Sequence, residues 1–202
     1  MAKGAKGEDT RRRILDRAVL LASRDGLSGL TIGELASDLG VSKSGLFAHF
    51  GSKEELQVAV LGAAAERFEL LVLKPAMKAP AGVRRIRALF ERWLSWVADP
   101  ASPGGCIFLA AATELDDRDG KPRDYLVGGQ RQLIDFLTKA ARLGVEHGEL
   151  RKDLDCEAFA FDLHTIVLGY NYARRLMRDR KAEARARAAF DRLLSAAAGQ
   201  TN

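Results

Sequence analysis

The residues of this chain whose types and spacing could do chemistry are Lys43, Ser44 and Phe47, a cation, a hydroxyl and an aromatic ring within the segment SKSGLFAHF. An ammonium and a hydroxyl at the exposed start of a helix can hydrogen-bond base edges in a DNA groove. Further along, Lys53 stands in the first turn of another helix, where the helix dipole disfavours a cation. The mismatch points to an anionic partner, and a DNA phosphate is the obvious one.

The elements that must position these groups are readable from the surrounding residues. Thr31 followed by Glu34 is a capping box that starts a helix, with the hydroxyl closing a backbone N–H and the carboxylate reaching back. Ile32, Leu35, Ala36 and Leu39 recur at helical spacing and give it one apolar face. Gly40 ends it, Val41 is expected to be the buried plug of the turn, and Ser42 caps the next helix. On that second helix Leu46 and Phe50, four apart, face inward and leave Lys43, Ser44, Phe47 and Ala48 outside. Ser52 and Glu55 form a second capping box, so a third helix begins just after Phe50. Two helices joined by a short turn containing Gly make a helix-turn-helix, whose second helix enters the major groove.

Thr31, Ile32, Leu35, Ala36, Gly40-Val41-Ser42, Leu46-Phe47, His49-Phe50 and Ser52-Lys53-Glu54-Glu55-Leu56 together resemble the N-terminal signature of the TetR family of bacterial repressors, over roughly residues 9 to 60. The resemblance implies an all-α fold: an N-terminal three-helix DNA-binding domain, then a helical ligand-binding and dimerisation domain. It implies a homodimer on a palindromic operator of double-stranded DNA, released by a small-molecule effector. It also implies that Thr31, His49 and Lys53 contact phosphates while Lys43, Ser44 and Gly45 face bases. Two residues depart from the family pattern. Phe47 stands where Tyr is usual, replacing a phosphate hydrogen bond by van der Waals contact. Gly45 stands where Thr or Ser is common, leaving Lys43 more of the direct readout.

The rest of the chain reads as helices and breaks. Residues 1–8 are expected to be a disordered basic arm, with Lys3, Lys6 and Arg11 to Arg13 able to reach flanking DNA. A first helix is expected from about Asp9 to Arg24, with Ile14, Leu15, Ala18, Val19 and Ala22 inward and Gly26 as its stop. The DNA-binding domain thus covers residues 9–56 and the second domain residues 57–202. A long helix from Lys53 is expected to end at Pro75, and residues 74–82 make a Pro- and Gly-bearing boundary segment. Helices follow at about 83–98, within 104–115, at 122–146, at 155–176 and at 181–198. The helix at 155–176 is apolar nearly all round, and the last is rich in Ala, including Ala184 and Ala188. Residues 155–198 match the family's dimer interface, a four-helix bundle.

Among the aromatic residues of the second domain, Phe68, Trp93, Trp96, Phe108 and Phe136 could line one apolar cavity, with His164 as a polar anchor. Taken singly, each reads first as ordinary core, and His164 as a satisfied interface histidine. Cys106, in the apolar run GGCIFLAA, reads as structural, since such surroundings raise a thiol pKa; the run GGCIFLAAATELDDRDG resembles the start of the regulatory domain in some TetR members. The Arg cluster from Arg174 to Arg187 reads as a solvated corner.

Composition narrows the classes. The formal charge of +5 favours an anionic partner, yet residues 1–56 hold nine Lys and Arg against eight Asp and Glu, so placement matters more than the sum. Cys106 and Cys156 are too few for a disulfide framework, no apolar run reaches membrane-spanning length, and no hydrophobic signal segment opens the chain, which fits the cytoplasm. Three His residues without metal spacing, no phosphate-binding loop and no catalytic constellation imply no enzyme, no cofactor and no metal site. A ligand-blind DNA-binding or scaffold protein and a helical enzyme remain the alternatives.

Overall fold

The computed structural model describes the backbone of residues 2–102 and 104–199, with side chains from Gly7 onward. Among these residues the regular elements are all helices, apart from one isolated antiparallel bridge between Leu150 and Ala198. The chain divides into two compact units, Met1–Arg67 with Asp99–Gly128, and Phe68–Ala98 with Gly129–Asn202.

The first unit is built on α1 (Ala2–Asp25), α2 (Ile32–Leu39), α3 (Lys43–Phe50) and α4 (Lys53–Phe68). Ile14, Leu15, Ala18, Val19 and Ala22 of α1 are all buried, as their spacing requires. Gly26 then takes the left-handed conformation at φ 88°, its N–H reaching the Ala22 carbonyl. The helix begins at Ala2, so the backbone of residues 2–8 continues α1 instead of forming the expected arm; Met1 and the side chains of Lys3 and Lys6 lie outside the described residues. Extending a helix already anchored by packing needs no new nucleus, and Ala and Lys propagate it well.

The unit is not contiguous in sequence. α7 (Ile107–Leu115) and the start of α8 (Lys121–Glu146) belong to it, with Ile107, Ala111, Leu115 and Leu126 in the same core as Leu35, Leu46 and Phe50. This division into contact units follows different lines from the boundary expected at 56/57 and the linker expected at 74–82. Gly104 shows why α7 can approach: a Cβ there would lie 1.3 Å from the Ser23 carbonyl oxygen, so only glycine lets this strand of backbone cross the end of α1.

In the second unit the chain runs through a π-helical stretch, Glu69–Leu73, into α5 (Lys74–Met77). Pro75 sits inside this continuing helix and does not end it. The π turn, closed by Lys74 N–H on the Glu69 carbonyl, widens the helix just where proline would clash with the preceding turn and remove a donor. α6 (Val83–Val97) buries Ile86, Leu89, Phe90, Trp93, Leu94, Trp96 and Val97, and its first N–H is capped at 2.6 Å by Glu149, far along the chain. α9 (Cys156–Arg175) and α10 (Ala182–Ala197) form a hairpin in which Phe159, Leu163, Val167 and Tyr170 pack with Ala182, Ala186, Phe190 and Leu194 in the interior. Phe90 stacks on Phe190 at 4.0 Å. Within the basic corner, Arg185 pairs with Asp179, and Arg187 with Glu91 and Glu183.

Candidate nucleic-acid interface

The candidate surface belongs to the first unit and begins with its caps. The Thr31 hydroxyl accepts the Glu34 N–H at 3.1 Å and donates to the Glu34 carboxylate at 2.9 Å. One half of the expected capping box is thus altered: the carboxylate accepts a hydrogen bond from the Thr31 hydroxyl rather than from the Thr31 N–H. Gly40 (φ 66°) closes α2 with N–H bonds to the Ala36 and Ser37 carbonyls, and Val41 N–H also reaches Ala36. Because backbone bonds close this turn, no apolar plug is needed, and Val41 is 40% exposed instead of buried. Ser42 Oγ accepts from Gly45 N–H at 3.1 Å and from the Ser44 hydroxyl at 3.3 Å.

α3 therefore presents the division its sequence implies. Leu46 and Phe50 are buried, while Lys43, Ser44, Gly45 and Ala48 are exposed and Phe47 is 52% exposed. The stem of Lys43 lies over the first turn of α2, where a Cβ on Gly33 would sit 3.3 Å from Lys43 Cε and 3.9 Å from the Thr31 hydroxyl. Gly33 thus makes room that brings Lys43 and Thr31 to one patch. His49 is half-buried, its ring tilted against Phe50 at 6.2 Å, and the Arg11 guanidinium covers the same Phe50 ring at 5.2 Å. α2 is tied to α1 by a bidentate pair of Arg17 with Asp38, and the guanidinium holds the Asp38 carboxyl below its ordinary range.

Lys53 is not idle. Its Nζ donates to the Ser28 carbonyl at 2.7 Å, leaving two of its three donors for an outside anion. Around this bond lie groups that the residue pattern did not reveal. Gln57, buried on α4, donates to the Leu27 carbonyl at 3.0 Å, and Glu114 of α7 accepts the N–H groups of both Leu27 and Ser28. A Gln in an apolar stretch and a Glu after the run AAAT were the only signals, and neither names its partner.

In the second unit, four of the candidate pocket residues come together. Phe68 meets Trp93 at 5.8 Å and Trp96 at 5.4 Å, both edge-on, and Trp93 stacks on the His164 ring at 5.6 Å. His164 Nε2 is a buried ring atom without a hydrogen-bond partner, and burial pushes the His164 pKa down, so the ring is held neutral. Phe136 is half-buried on α8 of the same unit. Phe108 belongs to the first unit, where it packs against the core. Its position after the Gly104 crossing carries it there, which helical spacing could not reveal. Among the described residues, no group of three or more His, Cys, Asp or Glu could hold a metal ion, and no helix is long and apolar enough to cross a membrane.

A helix-turn-helix with these caps, in a chain that is otherwise helical, defines a class of regulatory DNA-binding proteins. Residues 14–60 match the family model for bacterial regulatory proteins of the tetR family, and residues 82–190 match that for the tetracyclin repressor-like C-terminal domain. The chain belongs to the TetR family and is a DNA-binding transcriptional regulator. It is 24% identical over 168 residues to the HTH-type transcriptional regulator YezE of Bacillus subtilis, covering 82% of this chain and 86% of that one. A TetR transcriptional regulator from Chloroflexus aurantiacus matches with a TM-score of 0.84 and 25% identity, over 95% of each chain. AibR, solved in complex with isovaleryl coenzyme A and operator DNA, matches with a TM-score of 0.69 and 26% identity, over 87% of this chain and 96% of its own.

Proposed function

We propose that this regulator is a repressor that binds a palindromic operator as a homodimer and leaves it when a small molecule enters the second unit. The observation that carries the DNA half is the outer face of α3, where Lys43, Ser44 and Gly45 are exposed on a helix anchored by Leu46 and Phe50. Lys43 and Ser44 read base edges, and Gly45 lets the backbone come close to them. Thr31, His49 and Lys53 hold phosphates, and Phe47 packs on the sugar-phosphate chain. The repressor role and the cytoplasmic setting are those typical of the family.

The dimer reading rests on α9. Phe161, Thr165, Leu168, Tyr172 and Leu176 fall along one face at helical spacing and are all exposed. An apolar stripe of this kind calls for a protein partner, and a second copy of α9, with the small outward residues Ala184 and Ala188 of α10, supplies one. Two α3 helices related by the two-fold axis then meet major grooves about 34 Å apart or a multiple of that. Phe68, Trp93, Trp96 and His164 form the candidate effector site, suited to a largely apolar molecule with one group that can bond a neutral imidazole. AibR, bound to an acyl thioester and to its operator, supports an effector-responsive reading. Release follows if the effector prefers the DNA-incompetent dimer by about 1–3 kcal/mol.

The test is selection of genomic fragments by the purified protein, followed by titration of the enriched site against salt. A palindrome bound by a dimer with a steep salt slope is expected. Failure to enrich any site with folded, effector-free protein would remove the operator reading.

A further inference from the structure

The dipeptide Leu27-Ser28, in the connection between α1 and α2, has every polar group engaged, and none of the partners lies in α1 or α2. Glu114 Oε1 accepts Leu27 N–H at 2.9 Å and Glu114 Oε2 accepts Ser28 N–H at 2.6 Å. Gln57 Nε2 donates to the Leu27 carbonyl at 3.0 Å, Lys53 Nζ to the Ser28 carbonyl at 2.7 Å, and Arg118 to the Ser28 hydroxyl at 3.2 Å. Gly26, at φ 88°, turns two successive N–H groups the same way, and they form a small anion cradle that the carboxylate fills. The fit is close: a Cβ on Gly26 would lie 2.7 Å from Glu114 Oε1.

Two elements thus meet on one short turn. α7 holds the N–H groups of the 26–27 and 27–28 peptides through the Glu114 carboxylate, the stronger kind of hydrogen bond. α4 holds the carbonyls that follow, Leu27 through Gln57 and Ser28 through Lys53. A flexible lysine that binds a phosphate loses rotamer entropy, and the loss is smaller where something already limits its rotamers. The Ser28 carbonyl does that, and Glu114 anchors the two peptide planes that lead into it, so that only the rotation at Ser28 separates the anchored backbone from this carbonyl.

We propose that Glu114 is a positioning residue for DNA binding, a bidentate clamp on Leu27-Ser28 that sets the Ser28 carbonyl and, through it, the direction of the Lys53 ammonium. This rests on the reading of Lys53 as a phosphate contact. It makes the placement of α7, held by buried Ile107, Ala111 and Leu115, a determinant of operator affinity although α7 lies outside the helix-turn-helix.

The experiment is a double-mutant cycle of Lys53→Gln and Glu114→Gln, with affinity for the enriched operator measured across a salt series and thermal midpoints recorded alongside. Lys53→Gln alone should shallow the log–log salt slope by about one. Glu114→Gln keeps the shape but places an N–H donor against one of the two backbone N–H groups. It should weaken binding roughly tenfold, the worth of one charge-assisted hydrogen bond, and shallow the slope as Lys53→Gln does. In the Lys53→Gln background it should then cost little more. An equal loss in both backgrounds, or a lowered midpoint with unchanged operator affinity, would overturn the clamp while leaving Lys53 in place. An unchanged slope for Lys53→Gln would instead overturn the phosphate reading, and the inference with it. Should Glu114→Gln not fold, Glu114→Asp, which keeps the charge and shortens the reach, enters the same cycle with the same outcomes.

Discussion

α3 and α9 both turn aromatic carbon toward the outside, and the neighbours of that carbon differ. On α3 a single ring, Phe47, stands among Lys43, Ser44 and Gly45. On α9 and its C-cap, Phe161 at 65% and Leu176 at 67% exposure share a stripe with Leu168 and Tyr172, with Thr165 between. Exposed apolar surface forfeits about 25 cal/mol for each Å² left in water, so the α9 stripe has a strong reason to find an apolar partner. The α3 face has little to gain that way. Its donors gain from an anionic, hydrogen-bonding partner, and one ring adds packing. The lesson is that exposure alone does not identify an interface; the ratio of donors to carbon on the exposed face tells nucleic acid from protein.

The largest expected effect tests the protein side of this contrast. Phe161→Glu with Leu168→Glu should convert dimer to monomer in light scattering and lower operator affinity by at least roughly 100-fold, because two half-sites are no longer held together. A dimer that survives both charges would take α9 out of the interface and dissolve the contrast. On the DNA side, Lys43→Ala should cost about 1–3 kcal/mol and relax preference at one base position. Uniform weakening over all sequences would move Lys43 from bases to phosphates.

Smaller changes sharpen the picture. Phe47→Tyr adds a hydroxyl where the ring faces the backbone and should strengthen binding to every sequence by about 0.5–1.5 kcal/mol; a sequence-dependent change would place the ring against bases. The smallest effect concerns His164 and stability alone. Its folded pKa is lowered by burial, so on acidification the unfolded chain takes up the proton first, and stability is lost as pH falls from the unfolded value, near 6.5, toward the folded one. The thermal midpoint should therefore drop between about pH 7 and about pH 5 more in the parent than in His164→Asn. Parallel curves for the two proteins would show that His164 does not carry the acid sensitivity.

The recognition motif was legible because its signals are local. Thr31, Gly40, Ser42 and Ser52 act on backbone groups within a few residues, and the pairs Leu35–Leu39 and Leu46–Phe50 declare their face by spacing. Where the reading went astray, a partner distant in sequence or an alternative backbone geometry decided the outcome. Val41 is exposed because backbone bonds already close its turn. Pro75 is absorbed by a π turn that no residue pattern announces. Residues 2–8 extend a helix whose anchor lies further along.

By itself, then, the sequence determined the helices, their caps and the split of α3 into a buried and a presented face, since these depend on interactions a few residues long. Only the tertiary structure decided that α7 belongs with the helix-turn-helix, that Phe68, Trp93, Trp96 and His164 meet, and that Lys53 is tethered to Ser28 beneath the Glu114 clamp. A carboxylate accepts any N–H and an ammonium any carbonyl, so residue type leaves the partner open, and long-range packing makes the choice.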